Sequence, residues 1–267
     1  MTHSSILEEE IPIQVKKQPW IRVQNNILAR PERAILNWLC SHMPNAVTSD
    51  PLTAVGVAGA VIVLAGYIGS RFDPAFFWLA TVGFLVNWFG DSLDGSLARF
   101  RGVESPRYGY FLDHSADAVS ILLILVGLGF SAYMRLDVAL SVLVSYFLMC
   151  IYVFLYNHVS GTFRISFAAL GPTELRIGLI IMNLWMFVSG PSKFAILGQT
   201  FSVYDLVFSL VAVTLVCLFV VSMLQAVRRL RREDCPAVLS KTRYEISQLQ
   251  EQLRVSASSP RPLRAVL

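Results

Sequence analysis

A chain of 267 residues, 55% of them hydrophobic and 15% charged, carries more apolar surface than a soluble domain can hide. Its formal charge of +4 has no aromatic-basic pattern beside it, which argues against a nucleic-acid partner and for contact with anionic lipid headgroups. Cys40, Cys150, Cys217 and Cys235 are scattered with no C-x-x-C pair, so neither a cysteine metal site nor a disulfide frame is expected.

Residues 1–30 are polar and charged and read as a weakly ordered arm on the cytoplasmic side. They contain no cleavable signal-peptide pattern, so the first span is expected to target the chain. Residues 31–51 form the approach to the membrane. PERAILNWLCSHM starts with Pro31 at a first helical turn and sets Ile35, Trp38, Leu39 and His42 along one side. This predicts a short amphipathic helix, either lying in the membrane interface with Trp38 as anchor or packed on the spans. PNAVTSDP then makes a turn.

Six apolar runs follow, each near the length of about 20 residues that crosses a bilayer. They fall near Leu52–Ser70, Pro74–Phe100, Gly109–Met134, Asp137–Gly161, Pro172–Gly190 and Phe201–Ala226. Residues 52–226 therefore read as a six-helix membrane domain, and the expected fold is an all-α integral membrane protein. RRLRRED ends the last span with a basic stop, a short surface helix is predicted near Ser240–Leu253, and the last residues read as disordered, all within a basic tail of residues 227–267. With both ends on one side, that side holds nineteen of the 22 Lys and Arg residues, against Arg71, Arg135 and Lys193 opposite. The bias orients both termini and the loop between the second and third spans toward the cytoplasm.

That loop is flanked by acids. Asp91, Asp94, Gly95, Ala98 and Arg99 fall at i, i+3, i+4, i+7 and i+8, one face of a helix, and Asp113 and Asp117 are four apart on the next. Two helices joined by so short a loop run antiparallel and bring both carboxylate pairs to one gap. Charges at membrane depth are costly, and four like charges in one cleft repel strongly without cations. Oxygen-only ligands select hard divalent ions, Mg²⁺ or Mn²⁺, and a pair of such ions can clamp a phosphate. Gly95 and Ala98 leave bare helix surface for a flat base or sugar, Arg99 can grip phosphate oxygens, and Gly109 is expected to let the third span pack closely.

Asp91-x-x-Asp94-Gly95-x-x-Ala98-Arg99, nine residues, then Gly109-x-x-x-Asp113-x-x-x-Asp117 resembles the signature of the CDP-alcohol phosphotransferase family at all eight fixed positions. PNAVT, residues 44–48, is similar to that family's approach to its first helix. The resemblance implies six membrane helices, an N-terminal interfacial helix and a homodimer. It also implies a reaction in which a CDP-linked donor passes its substituted phosphate to an alcohol, releasing CMP and forming a phospholipid. On the same basis Asp91, Asp94, Asp113 and Asp117 hold two divalent ions, and Asp117 is also the general base. Gly95, Ala98 and Arg99, with Asn45 and Thr48, line the nucleotide site.

His158, within YNHVSGTFR, is a second candidate base. Glu174 and Arg176, ahead of the fifth span, are candidate contacts for the acceptor or headgroup. His114 beside Asp113, and His158 followed by Ser160-Gly161 and Gly171-Pro172, resemble the choline and ethanolamine branch. Leu155 and Tyr156 replace that branch's acidic residues, and the chain is shorter than is typical there. Two donors stay open: CDP-diacylglycerol with a small polar alcohol, or a CDP-aminoalcohol with diacylglycerol. A transporter or channel with a cytoplasmic acidic cation site is the competing class. It would place its acids nearer the midplane, on interrupted helices.

Overall fold

The protein is described by a computed structural model covering residues 29–160, 172–196 and 198–258. The polar arm, apart from its last residues, the 161–171 segment with the Gly161 and Gly171 motif, and the final residues 259–267 lie outside the described residues. The chain runs α1 (Ala29–His42), α2 (Ser49–Gly69), α3 (Phe76–Arg101), α4 (Pro106–Gly129), α5 (Leu136–Ser160) and α6 (Pro172–Ser189). A small hairpin, β1 (Lys193–Ile196) and β2 (Gln199–Ser202), precedes α7 (Val203–Ser258).

Five of these helices, α2 to α5 and residues 203–234 of α7, are long and apolar enough to cross a bilayer. The protein is thus helical and membrane-integral. The predicted fifth span corresponds to α6, whose 18 residues extend about 27 Å and include Glu174, Arg176 and Asn183. It falls outside that set of five because those polar residues dilute it.

Helices α2 and α3 pack backbone to backbone. A methyl group on Gly59 would strike the main chain of Asn87, and one on Gly90 the main chain of Gly56. Only a bare α-carbon permits that separation, the small-residue contact typical of membrane helices. A large cluster at one end of the bundle gathers Tyr67, Phe77, Phe84, Leu128, Tyr133, Val138, Met186 and Tyr204. Tyr67 donates to Asn183 Oδ1 at 2.9 Å inside it, satisfying a phenol that burial would otherwise orphan. A smaller cluster at the other end joins Leu36 and Cys40 of α1 to Leu52, Leu93 and Leu97. Along α3 the acidic face shares the turns that carry Leu93 and Leu97 of the smaller cluster.

Two elements depart from the sequence reading. The hairpin was not expected in an all-α fold; it forms because Gly198 takes a left-handed φ of 79° and pairs Ala195 with Thr200. Its exit is locked by Ser202 and Asp205, whose side chains accept each other's backbone N–H at 3.0 and 2.7 Å, a capping box at the start of α7. The second departure is the tail. Instead of a stop near Arg228 and a separate helix at 240–253, one helix of 56 residues runs to Ser258, about 84 Å long. No glycine interrupts it, its C-terminal half is rich in Arg, Glu, Gln and Leu, and Arg229 pairs with Glu233 one turn on at 2.7 Å.

Helix α1 turns Leu36 and Cys40 onto the spans while Ile35 and Trp38 stay exposed. Packing on the spans is observed, with Ile35 and Trp38 left on the outer side of the helix.

Candidate active site

Helix α3 ends at Gly102, whose φ of 67° lets its N–H return to the carbonyls of Ala98 and Arg99. Pro106 starts α4 three residues after Val103. That tight reversal brings the acidic face of α3 against that of α4. Asp91, Asp113 and Asp117 each present a carboxylate oxygen within 4.8 Å of the others. Ionised carboxylates so close require a cation among them.

Asp94 is set apart. It is buried, and its Oδ2 accepts from Thr53 Oγ1 on α2 at 2.6 Å while Oδ1 accepts from the Gly95 N–H. It is still near enough to Asp91 and Asp113 to interact with both charges. The structure therefore gathers three of the four predicted ligands and directs the fourth at a threonine.

A cation does reach the cluster from α6. Arg176 Nη2 lies 2.7 Å from Asp91 Oδ2, and Nε donates to Asn87 Oδ1 at 2.9 Å. Asn87 in turn donates to the Gly56 carbonyl at 2.9 Å and to Ser120 Oγ at 3.4 Å. One nitrogen of this guanidinium, Nη1, is buried with no hydrogen-bond partner among the described residues. Glu174, two residues earlier and about 200° around the helix, is half-buried on another face.

The Arg99 guanidinium lies over Gly95, where an added Cβ would sit 3.3 Å from Nη1, and its Nη2 donates to Ser96 Oγ at 3.2 Å. Ala98 is half-buried beside it. Asn45 and Thr48 are exposed on the loop leading into α2. That loop is held by Arg101, which donates to the carbonyls of Met43 at 3.2 Å, Pro44 at 2.8 Å and Val47. Gly109 corrects an expectation: it is exposed, and a Cβ there would meet nothing within 4 Å, so among the described residues it mediates no close helix contact. It leaves open surface beside Asp113 instead.

On α5, Tyr146 and Cys150 lie near enough to Asp117 to interact with its charge. His158 is exposed, about 80° around the helix from Cys150, and no hydrogen bond joins it to the aspartates among the described residues. His114 packs against Tyr110 and Phe154, with its Nδ1 3.0 Å from the Tyr110 carbonyl oxygen and 3.6 Å from Asp113 Oδ2.

Sequence reasoning missed Thr53, Asn87, Ser120 and Arg101. The first three carried a signal, since polar side chains inside apolar spans need partners. Arg101 carried none beyond its position at a helix end.

Three converging carboxylates, all oxygen donors and half-buried, fit a hard divalent cation. A model of the CDP-alcohol phosphatidyltransferase family matches residues 41–218, well over half of the chain and all of the acidic motif. No curated protein matches the chain. By that match, and by the motif set on two antiparallel membrane helices, the chain belongs to the CDP-alcohol phosphatidyltransferase family.

Proposed function

We propose that the protein transfers a substituted phosphate from a CDP-linked donor to an alcohol, one of the two being a lipid, with Mg²⁺ or Mn²⁺ as cofactor. The observation that carries this reading is the convergence of Asp91, Asp113 and Asp117 within 4.8 Å, next to a glycine-floored helix surface. Family membership supplies the reaction class: phosphate transfer from a CDP-alcohol to an acceptor.

Asp91, Asp113 and Asp117 would hold the first ion, and a second calls on Asp94, released from Thr53. The bound ions would neutralise the pyrophosphate and make CMP a better leaving group. Arg99 grips the diphosphate, and Gly95, Ala98, Asn45 and Thr48 receive the nucleotide. Arg176 offers its unpartnered Nη1 to an anionic oxygen of the donor or acceptor, with Glu174 toward the headgroup. Asp117 takes the acceptor's hydroxyl proton as that oxygen forms its bond to phosphorus, and the bond from phosphorus to the CMP oxygen breaks. The half-buried Arg176 and the buried Asn87 exclude water on one flank, which favours the alcohol over hydrolysis.

In the membrane, α6 is taken as a span, the fifth of six in chain order, making residues 52–226 the catalytic unit. α1 lies at the interface through Ile35 and Trp38, residues 1–30 and 227–267 are cytoplasmic, and two copies form a homodimer. The basic bias of one side supports that orientation.

The test is incubation of the purified protein with CDP-diacylglycerol or a CDP-aminoalcohol, Mg²⁺ or Mn²⁺, and panels of alcohols. CMP release with matching lipid product is expected from one panel; none from either would remove the reading.

A further inference from the structure

One carboxylate that no motif covers lies at the junction of three helices. Glu32, in the first turn of α1, accepts through Oε1 from Trp88 Nε1 at 3.3 Å and Ser92 Oγ at 3.5 Å on α3, and from Thr173 Oγ1 on α6. Trp88 and Ser92 are one turn apart and flank Asp91 in sequence. Thr173 stands one turn before Arg176, so both point from the same side of α6 toward α3. The contacts form a closed circuit: Glu32 to α3, α3 through Asp91 to Arg176, Arg176 along α6 to Thr173, and Thr173 back to Glu32. Helix α1 is itself fixed on α3 by Leu36 and Cys40 against Leu93 and Leu97, which keeps Glu32 at a set height.

The geometry points to Glu32 as a positioning residue that ties the start of α6 to α3 and so sets Arg176 against Asp91 and Asn87. Two of its donors, a threonine hydroxyl and an indole N–H, are part-buried and lose their acceptor if the carboxylate is removed. The first amides of α6 have no intrahelical partner, so this end of the helix relies on side-chain ties such as Thr173 to Glu32 and Arg176 to Asp91. This role rests on the transferase reading only for its kinetic consequence. The tie itself is a property of the fold.

Two readouts on full-length protein in lipid nanodiscs test it. The first is amide hydrogen exchange across α6 and α3 in native protein, Glu32→Ala, Glu32→Gln and Thr173→Val. Glu32→Ala and Thr173→Val should speed exchange over residues 173–180 at least tenfold, with α3 protection unchanged, while Glu32→Gln, which keeps an acceptor oxygen, should stay within threefold. The second is turnover in a cycle with Arg176→Met. Glu32→Ala should cost tenfold or more in the native background and less than twofold once Arg176 is gone.

Unchanged exchange over 173–180 in both Glu32→Ala and Thr173→Val overturns the proposal. So does an equal loss of turnover in both backgrounds, the pattern of a merely structural glutamate. Thr173→Val carries the exchange test if Glu32→Ala does not fold. If native protein releases no CMP with any donor while α6 exchange still follows Glu32, the transferase reading falls and the tie stands.

Discussion

Helices α2 and α7 cross the same bundle under opposite rules. Half of the spanning window of α2 is buried, against 11% of that of α7. α2 meets α3 through glycines, with Thr53 and the Gly56 carbonyl reaching polar groups beside the aspartates. α7 turns Leu206, Val207, Leu210 and Val213 outward and then continues well past bilayer thickness. The contrast separates a frame from an anchor. The proposed ligands on α3 need fixed distances, which close backbone packing supplies, whereas α7 needs only to be apolar and helical.

Several substitutions break or sharpen that contrast. Asp91→Asn or Asp113→Asn removes a converging ligand and should lower turnover at least a thousandfold, about 4 kcal/mol. The same variants should lose cation-dependent thermal stabilisation, read as the shift in Tm on adding Mn²⁺. Asp117→Asn should cost about a hundred- to ten-thousandfold at saturating metal while nucleotide still binds, with His158→Ala near native. The reverse ranking would transfer the base to the histidine.

In the frame itself, Gly59→Leu forces a side chain into the Asn87 backbone and should destabilise by about 3 kcal/mol or more, seen as loss of monodisperse protein or a large drop in Tm. The matched change on α7, Val213→Leu, should stay within about 0.5 kcal/mol. Thr53→Val keeps volume but strips Asp94 of its donor, and should cost about 1–3 kcal/mol in stability, read as a fall in Tm without metal. The smallest effect is expected from ending the chain after Asp234, which should leave Tm and turnover near native values.

The acidic motif could be read from sequence because its chemistry is written in residue type and spacing. Period alone placed Asp91 and Asp94 on one face, and a short loop dictated antiparallel neighbours. What spacing could not convey is which way a carboxylate turns. Asp94 satisfies Thr53 because α2 comes close enough, and that closeness depends on Gly59 and Gly90 meeting bare backbone. Arg176 was picked as a headgroup contact, yet it sits against Asp91 because the first turns of α6 pack on α3. Gly109 failed as a packing residue for a related reason: a glycine in a motif marks either a close neighbour or open space, and sequence does not distinguish them. The long α7 was hidden by its basic run, which signals a membrane surface but does not end a helix.

The most direct test of the central claim is electron–nuclear double resonance on Mn²⁺ bound to the purified protein, with and without a CDP-linked donor. The account predicts Mn²⁺ bound in native protein and lost in Asp113→Asn, with ³¹P hyperfine coupling appearing when the donor is added. Mn²⁺ binding that survives Asp113→Asn, or a bound ion that never couples to phosphorus with either donor class, would contradict it.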